Sequence, residues 1–250
     1  MSGHSAKVFP VLLLVLPSGG FAEPVLVGFG THKPPYVFEQ QNSGLEYDLV
    51  EAALAQAGLE MKPYYAPLER LHRMLQNREL DAMASTNQTS GVDAHYSDVY
   101  IEYHNVAVTL RHRNIRLDAM DDLQGYSISA FQRARFVLGP EFSSMSAANP
   151  RYREEARQIT RNLLLYAGRI DVMIGDRRII QAFNDEIADR VDVSQPVTEH
   201  LLFPPTGYRV GFVDPALRDR FDQGLRSIRA NGGYQKIDHS YAAHSPPVTE

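Results

Sequence analysis

The stretch Asp81 to Asp98, DAMASTNQTSGVDAHYSD, places six uncharged hydrogen-bonding residues directly behind an apolar run. Ala82-Met83-Ala84 reads as a buried strand, and Ser85, Thr86, Asn87, Gln88, Thr89 and Ser90 follow it without a break. Hydroxyls and amides both donate and accept, so the cluster can cradle a small polar molecule at a strand end. The same residue types also build surface turns, and both readings stand at this point. Other chemistries find less support. The nine His residues are scattered, no H-x-x-x-H pair occurs, and there is no Cys. A metal centre is therefore not expected, and thiolate chemistry and disulfides are excluded. The GFG at Gly28 to Gly30 lacks the spacing of a phosphate-binding loop. No cofactor is implied.

The elements around the cluster alternate. PVLVGFG, EMKPYYA and LDAMA read as strands, separated by the helices LEYDLVEAALAQAG and PLERLHRMLQNREL. HNVAVTLRH is a long strand, and DDLQGYSISAF a turn and strand ending at Phe131. A helix is expected from about Gln132, and another from Pro150 through NPRYREEARQITRNLLLYAG with Ile159, Leu163 and Tyr166 inward. RIDVMIGD is a strand, RRIIQAFNDEI a helix and TGYRVGFVD a strand. Asp214 and Pro215 start a last helix, lined by Leu217, Phe221, Leu225 and Ile228 and stopped by Asn231-Gly232-Gly233. Such alternation argues an α/β fold with largely parallel sheets. LDAMASTNQ and IDVMIGDRR are each a short apolar strand ending in polar residues. Two similar lobes would leave a cleft between them, where small molecules bind.

The chain has 250 residues, 44% hydrophobic and 22% charged, with a net charge of −5. That is ordinary globular composition, without the basic footprint of a nucleic-acid binder. Met1 to Ala22 has Lys7, the apolar run Val8 to Leu16 and small residues before Glu23, the layout of a secretory signal. Residues 1–22 are expected to be removed, leaving a soluble, exported, periplasmic protein without a lipid anchor. The tail 242–250 is expected to be disordered.

Seven segments in order carry a resemblance: VLVGFGTHKPPYVF, GLEYDLVEAALAQAG, LQNRELDAMASTNQT, YSDVYIEY, DDLQGYSISAF, GRIDVMIGD and DPALRDRFDQGLRSIRANGGYQKI. Together they resemble the periplasmic solute-binding proteins of family 3, which serve polar amino-acid ABC transporters. The resemblance implies the two-lobed type II fold, two α/β lobes joined by two crossover strands near Val106 to Leu110 and Pro205 to Val210. Lobe one would comprise residues 23–108 and 206–241, and lobe two residues 109–205. It implies a small polar, anionic or zwitterionic, amino-acid-like solute, a membrane permease as partner, and a monomer without catalysis.

The resemblance also assigns ligand-binding roles. Ser85, Thr86 and Gln88 match positions that hold a ligand carboxylate. An Arg expected a few residues later is missing from TSGVDAHYSD. Arg70, Arg133 or Lys33 could replace it, with Arg135 a weaker candidate. Gln132 and Arg133 form the strand-to-helix turn that faces the ligand from lobe two. Asp176 matches the acid that receives the ligand's amino group, and Asp also fills an N-cap well. Tyr36 and Phe38 could stack on a ligand. An alternative is a dehydratase on the same scaffold, for which Glu69, Asp176 or His72 would supply an acid or base. A second alternative is an accessory that presents its ligand to a membrane sensor.

Overall fold

Alternating strands and helices build two separate sheets. The computed structural model describes residues 23–241. The expected signal (1–22) and tail (242–250) lie outside the described residues. In chain order, β1 (Val25–Phe29), α1 (Leu45–Gln56), β2 (Met61–Tyr65), α2 (Leu68–Gln76), β3 (Ala82–Thr86), β4 (His95–Tyr96) and β5 (Ile101–Tyr103) come first. Then follow β6 (Asn105–Leu110), β7 (Ile128–Phe131), α3 (Ala134–Val137), α4 (Pro140–Ala148), β8 (Tyr152–Glu155), α5 (Ile159–Tyr166), β9 (Val172–Asp176), α6 (Arg177–Ile187) and β10 (Val197–His200). The chain ends with β11 (Thr206–Phe212), α7 (Pro215–Ala230) and α8 (Gly233–Ser240).

The first sheet runs β2-β1-β3-β11-β4, with β5 also paired to β11. The second runs β10-β6-β9-β7-β8. The chain passes between them twice, at β5 to β6 and between β10 and β11. β6 lies in the second sheet from its first residue, since Asn105 pairs with Asp176. In each lobe, a central parallel strand points its C-terminal end at the cleft: β3 beside β1, and β9 beside β7. Ligands of open α/β sheets bind at such strand ends, and Ser85 and Asp176 sit there.

Sequence patterns explain most elements. In α1 the positions 46, 49, 50 and 53 form one i, i+3, i+4, i+7 stripe, and Glu46, Leu49, Val50 and Ala53 are all buried. Asp214 accepts a hydrogen bond from the Ala216 N–H at 2.8 Å and Pro215 follows it, which starts α7. Gly224 brings α7 against α1, because a Cβ there would lie 1.9 Å from the Ala53 carbonyl oxygen.

Two segments depart from the sequence expectation. The helix expected from Pro150 begins only at Ile159, because Tyr152–Glu155 pairs in parallel with Ile128–Phe131 as β8. Arg and Glu are good helix formers, but propensity is routinely overridden by tertiary context: the edge of β7 offers a full ladder, and the Tyr152 ring packs edge-on against Phe142 at 5.6 Å. The face of α5 is also rotated: Arg161, Asn162 and Leu165 are buried with Tyr166, while Ile159 and Leu163 are only half-buried. The second departure is α8, which follows the glycine stop where no further element was expected and packs against α1 and α7. No helix of the described residues is long and apolar enough to cross a membrane.

Candidate functional site

The cleft is lined from both lobes. Lys33, Leu68, Ser85, Tyr103 and Tyr208 face Asn105, Phe131, Gln158, Asp176 and Ile179 around a cavity of about 20 Å³. A second cavity of about 20 Å³ adjoins it, sharing Lys33, Leu68 and Gln158 and adding Gln132 and Glu155. Each has room for about one water molecule. An amino-acid-sized solute therefore requires the lobes to part or side chains to shift. Beyond the second cavity a wider groove of about 410 Å³ opens between His32, Glu39 and Pro67 on one lobe and Arg157, Gln158 and Glu186 on the other.

The polar cluster of β3 builds the lobe-one wall. Ser85 adopts φ 54°, a left-handed conformation rare outside glycine. It lies one residue before the end of β3, whose last residue Thr86 still pairs with Arg209. Lys33 Nζ donates to Ser85 Oγ and to Glu46 Oε2, both at 2.7 Å. The hydroxyls of Ser85 and Tyr100 donate to Glu46 Oε1, and Tyr103 donates to Oε2 at 3.3 Å. Glu46 has no solvent exposure and Lys33 only 3%. A buried charge needs a partner, and these two supply each other's. Burial, followed by the charge of Glu46, pushes the Tyr100 and Tyr103 hydroxyls well above their ordinary range, so both stay protonated donors.

Asp176 forms the lobe-two wall. Its carboxylate accepts from the N–H groups of Arg178 (2.9 Å), Ile179 (3.2 Å) and His104 (2.8 Å). Burial raises the Asp176 pKa and those donors oppose the rise. Asp176 thus caps α6 and lines the cavity at once. Behind it, Arg161 is fully buried. Its Nη1 donates to the Ile174 carbonyl at 2.5 Å, its Nη2 to Gln158 Oε1 at 2.5 Å and its Nε to the Gln158 carbonyl at 3.3 Å. Burial lowers its pKa to about 10. Gly175 makes room for this guanidinium, since a Cβ there would lie 2.5 Å from Nη1.

Of the residues expected to bind ligand, Lys33, Ser85 and Asp176 meet at the first cavity and Gln132 lines the second. Tyr36 stands behind them, stacked on Tyr103 with ring centroids 4.2 Å apart. Thr86 faces away from the cavity, its Oγ1 3.1 Å from His72 Nε2. Gln88 and Arg70 are exposed, the latter with its guanidinium 5.8 Å from the Tyr64 ring. Arg133 holds the rim: it crosses the cleft to Glu69 Oε2 at 2.9 Å and to the Ser90 carbonyl.

The sequence reading passed over Glu46, Tyr103, Asn105, Gln158, Arg161 and Tyr208. Glu46 was visible as a carboxylate on the apolar stripe of α1, and Arg161 as a cation four residues before buried Leu165. The others carry no local signal.

The comparisons agree with this geometry. The model of the bacterial extracellular solute-binding proteins, family 3, matches residues 25–244. Among solved structures, the arginine-, lysine-, histidine-binding protein ArtJ from Geobacillus stearothermophilus is similar with a TM-score of 0.73 at 18% identity, covering 90% of this chain and 98% of that one. A histidine kinase sensor domain with similarity to periplasmic binding proteins gives 0.75 at 16%, covering 88% and 96%. An ancestral amino acid-binding protein, AncCDT-1, described as a precursor of cyclohexadienyl dehydratase, gives 0.68 at 16%, covering 87% and 95%. No curated protein matches the chain. At these identities the structures speak for the fold alone. The family match, extending over nearly the whole described chain, settles membership: this is a bacterial extracellular solute-binding protein of family 3.

Proposed function

We propose that the protein captures a small polar solute between its lobes and hands it to the membrane permease of an ABC transporter, acting from the periplasm as a monomer after loss of residues 1–22. The observation that carries this reading is the cavity lined by polar groups of both lobes, Lys33 and Ser85 on one side and Asn105, Gln158 and Asp176 on the other. A ligand can bias lobe closure only through contacts that differ between the open and closed forms, and a two-sided lining supplies them. Lys33, Ser85, Asp176 and Gln132 are the proposed contacts. Arg133 is proposed to act on closure, and Tyr36 and Thr86 to support the walls.

Catalysis is the weaker reading. A dehydratase requires an acid or base within reach of the substrate. Glu69 is held by Arg133 at the rim, and His72 turns to Thr86 and the Leu68 carbonyl. Asp176 is held by three backbone N–H donors.

A thermal-shift survey of the protein with amino acids, hydroxy and keto acids, dicarboxylates, polyamines and small peptides tests the proposal. A solute at a hundred times its dissociation constant adds about 2.7 kcal/mol. One chemical class should raise Tm clearly and emerge from overnight incubation unchanged. Turnover of that solute would move the protein to the enzymes, and a flat response from all classes would remove the binding role.

A further inference from the structure

Buried polar atoms are almost always hydrogen-bonded, so each exception calls for a cause. Among the described residues, the buried side-chain atoms without a partner are Asn105 Oδ1, Ser129 Oγ, Arg133 Nε, Asn162 Oδ1 and Arg177 Nε. Of these residues only Asn105 lines either inner cavity. Asn105 is 3% exposed. The other end of its amide is committed, since Nδ2 donates to Thr206 Oγ1 at 3.2 Å. That bond leaves Oδ1 as the free end.

The open acceptor has a neighbour. In the antiparallel ladder of β6 and β9, Asn105 is the partner of Asp176. Directly opposed residues point to the same face, with Cβ atoms about 4.5–5.5 Å apart. Both residues line the first cavity. Asp176 accepts three backbone N–H groups, whereas an ionised carboxylate has about four acceptor sites. One site of Asp176 and Asn105 Oδ1 therefore stand side by side, neither bonded to a donor of the described residues. Lys33 and Gln158 line the same cavity, and each has a donor to spare. Lys33 uses two of its three N–H bonds, on Glu46 and Ser85. Gln158 turns its Oε1 to Arg161, which leaves its NH₂ without a protein partner among the described residues.

We infer, on the footing of the binding role proposed above, that Asn105 is a specificity-determining residue. Together with Asp176 it receives a solute group that carries at least two N–H donors, such as a primary amine. An acceptor of the same solute meets Lys33 and Gln158. A group with two N–H bonds serves both open acceptors. A hydroxyl serves one and leaves the other buried and unpaired, which costs the desolvation of that group. A keto or ether oxygen serves neither.

Thermal shift and isothermal titration calorimetry on the wild type and Asn105→Leu test this. Leu keeps the branching of the side chain and removes the acceptor. The amine probes are L-alanine, L-glutamate, L-glutamine, L-arginine, putrescine and glycylglycine; lactate, pyruvate and succinate carry no N–H. An amine probe should raise the wild-type Tm, and N105L should bind that probe at least tenfold more weakly. The unliganded Tm of N105L should be equal or higher, because the variant sheds a buried unpaired acceptor. A residue kept for folding would show the reverse, so a clear fall in unliganded Tm would overturn the inference, as would unchanged affinity. Donor number can also be read without a variant. In the wild type, the N,N-dimethyl form of the responding amine should bind at least tenfold more weakly than the N-methyl form, and equal binding of the two would overturn the inference. A response to lactate, pyruvate or succinate alone would overturn it and leave the binding role intact. Silence from all these probes would overturn it as well, and only silence across the whole survey above would end the binding role too.

Discussion

At the scale of the residue, the cleft depends on one buried ion pair. Lys33 and Glu46 lie 2.7 Å apart with almost no exposure. Removing one partner strands the other charge, which costs about 3–5 kcal/mol. Glu46→Leu should lower stability by that amount in urea denaturation, and adding Lys33→Met should recover part of it; a double variant as weak as the sum of the singles would show the two are not coupled. His72 gives a pH signature. Burial lowers its pKa to about 4 from the usual 6.5. The unfolded chain then takes up a proton below pH 6.5 that the folded protein refuses until about pH 4, so stability falls as pH drops through this window. Between pH 7 and 5 the loss from this group is about 2 kcal/mol, and His72→Gln should lack it. Equal pH slopes in the two proteins would refute the assignment. Sequence showed the two ends of the site at this scale, Ser85 and Asp176, because each follows an apolar strand. It gave Lys33 as one free cation among several, since nothing local reveals that Glu46 faces it from thirteen residues away.

At the scale of the element, most strands and helices were readable because their apolar periods are local. β8 was not: YREE has no strand period, and its conformation comes from the β7 edge, which is distant in sequence. Gly224 shows the same limit from the other side. Within α7 its type looks like a defect, since Ala favours helix over Gly by about 1 kcal/mol. Against α1 it is a requirement, because a methyl group would meet the Ala53 carbonyl at 1.9 Å. Gly224→Ala should therefore destabilise by about 1–3 kcal/mol, the usual cost of overpacking, and lower Tm. A rise in Tm would mean that α1 and α7 can separate freely.

At the scale of the whole molecule, the lobes are held by contacts at three places on the cleft margin. Arg133 reaches Glu69 and the Ser90 carbonyl, His32 meets Glu186 at 2.8 Å, and Arg178 meets Asp238 at 3.3 Å. Ile179 and Phe183 of α6 also pack into the core of lobe one. Two lobes were legible from the repeated strand endings; the angle between them was not, since it depends on pairs far apart in sequence. His32→Ala with Arg133→Ala should increase the radius of gyration in small-angle X-ray scattering while leaving far-ultraviolet circular dichroism unchanged. An unaltered radius would assign closure to the apolar contacts of α6 alone.

The rim contacts also bear on how fast the protein can load. With about 20 Å³ in each inner cavity, solute enters only those molecules whose lobes have parted or whose side chains have shifted, and only that fraction competes for it. Apparent affinity is reduced by that fraction, and the observed loading rate levels off at high solute concentration at the opening rate. Salt screens the partly exposed Arg178–Asp238 and Arg133–Glu69 pairs more than the buried groups within. Moderate salt should then hasten loading, the reverse of what a charged solute drawn to an open basin would show.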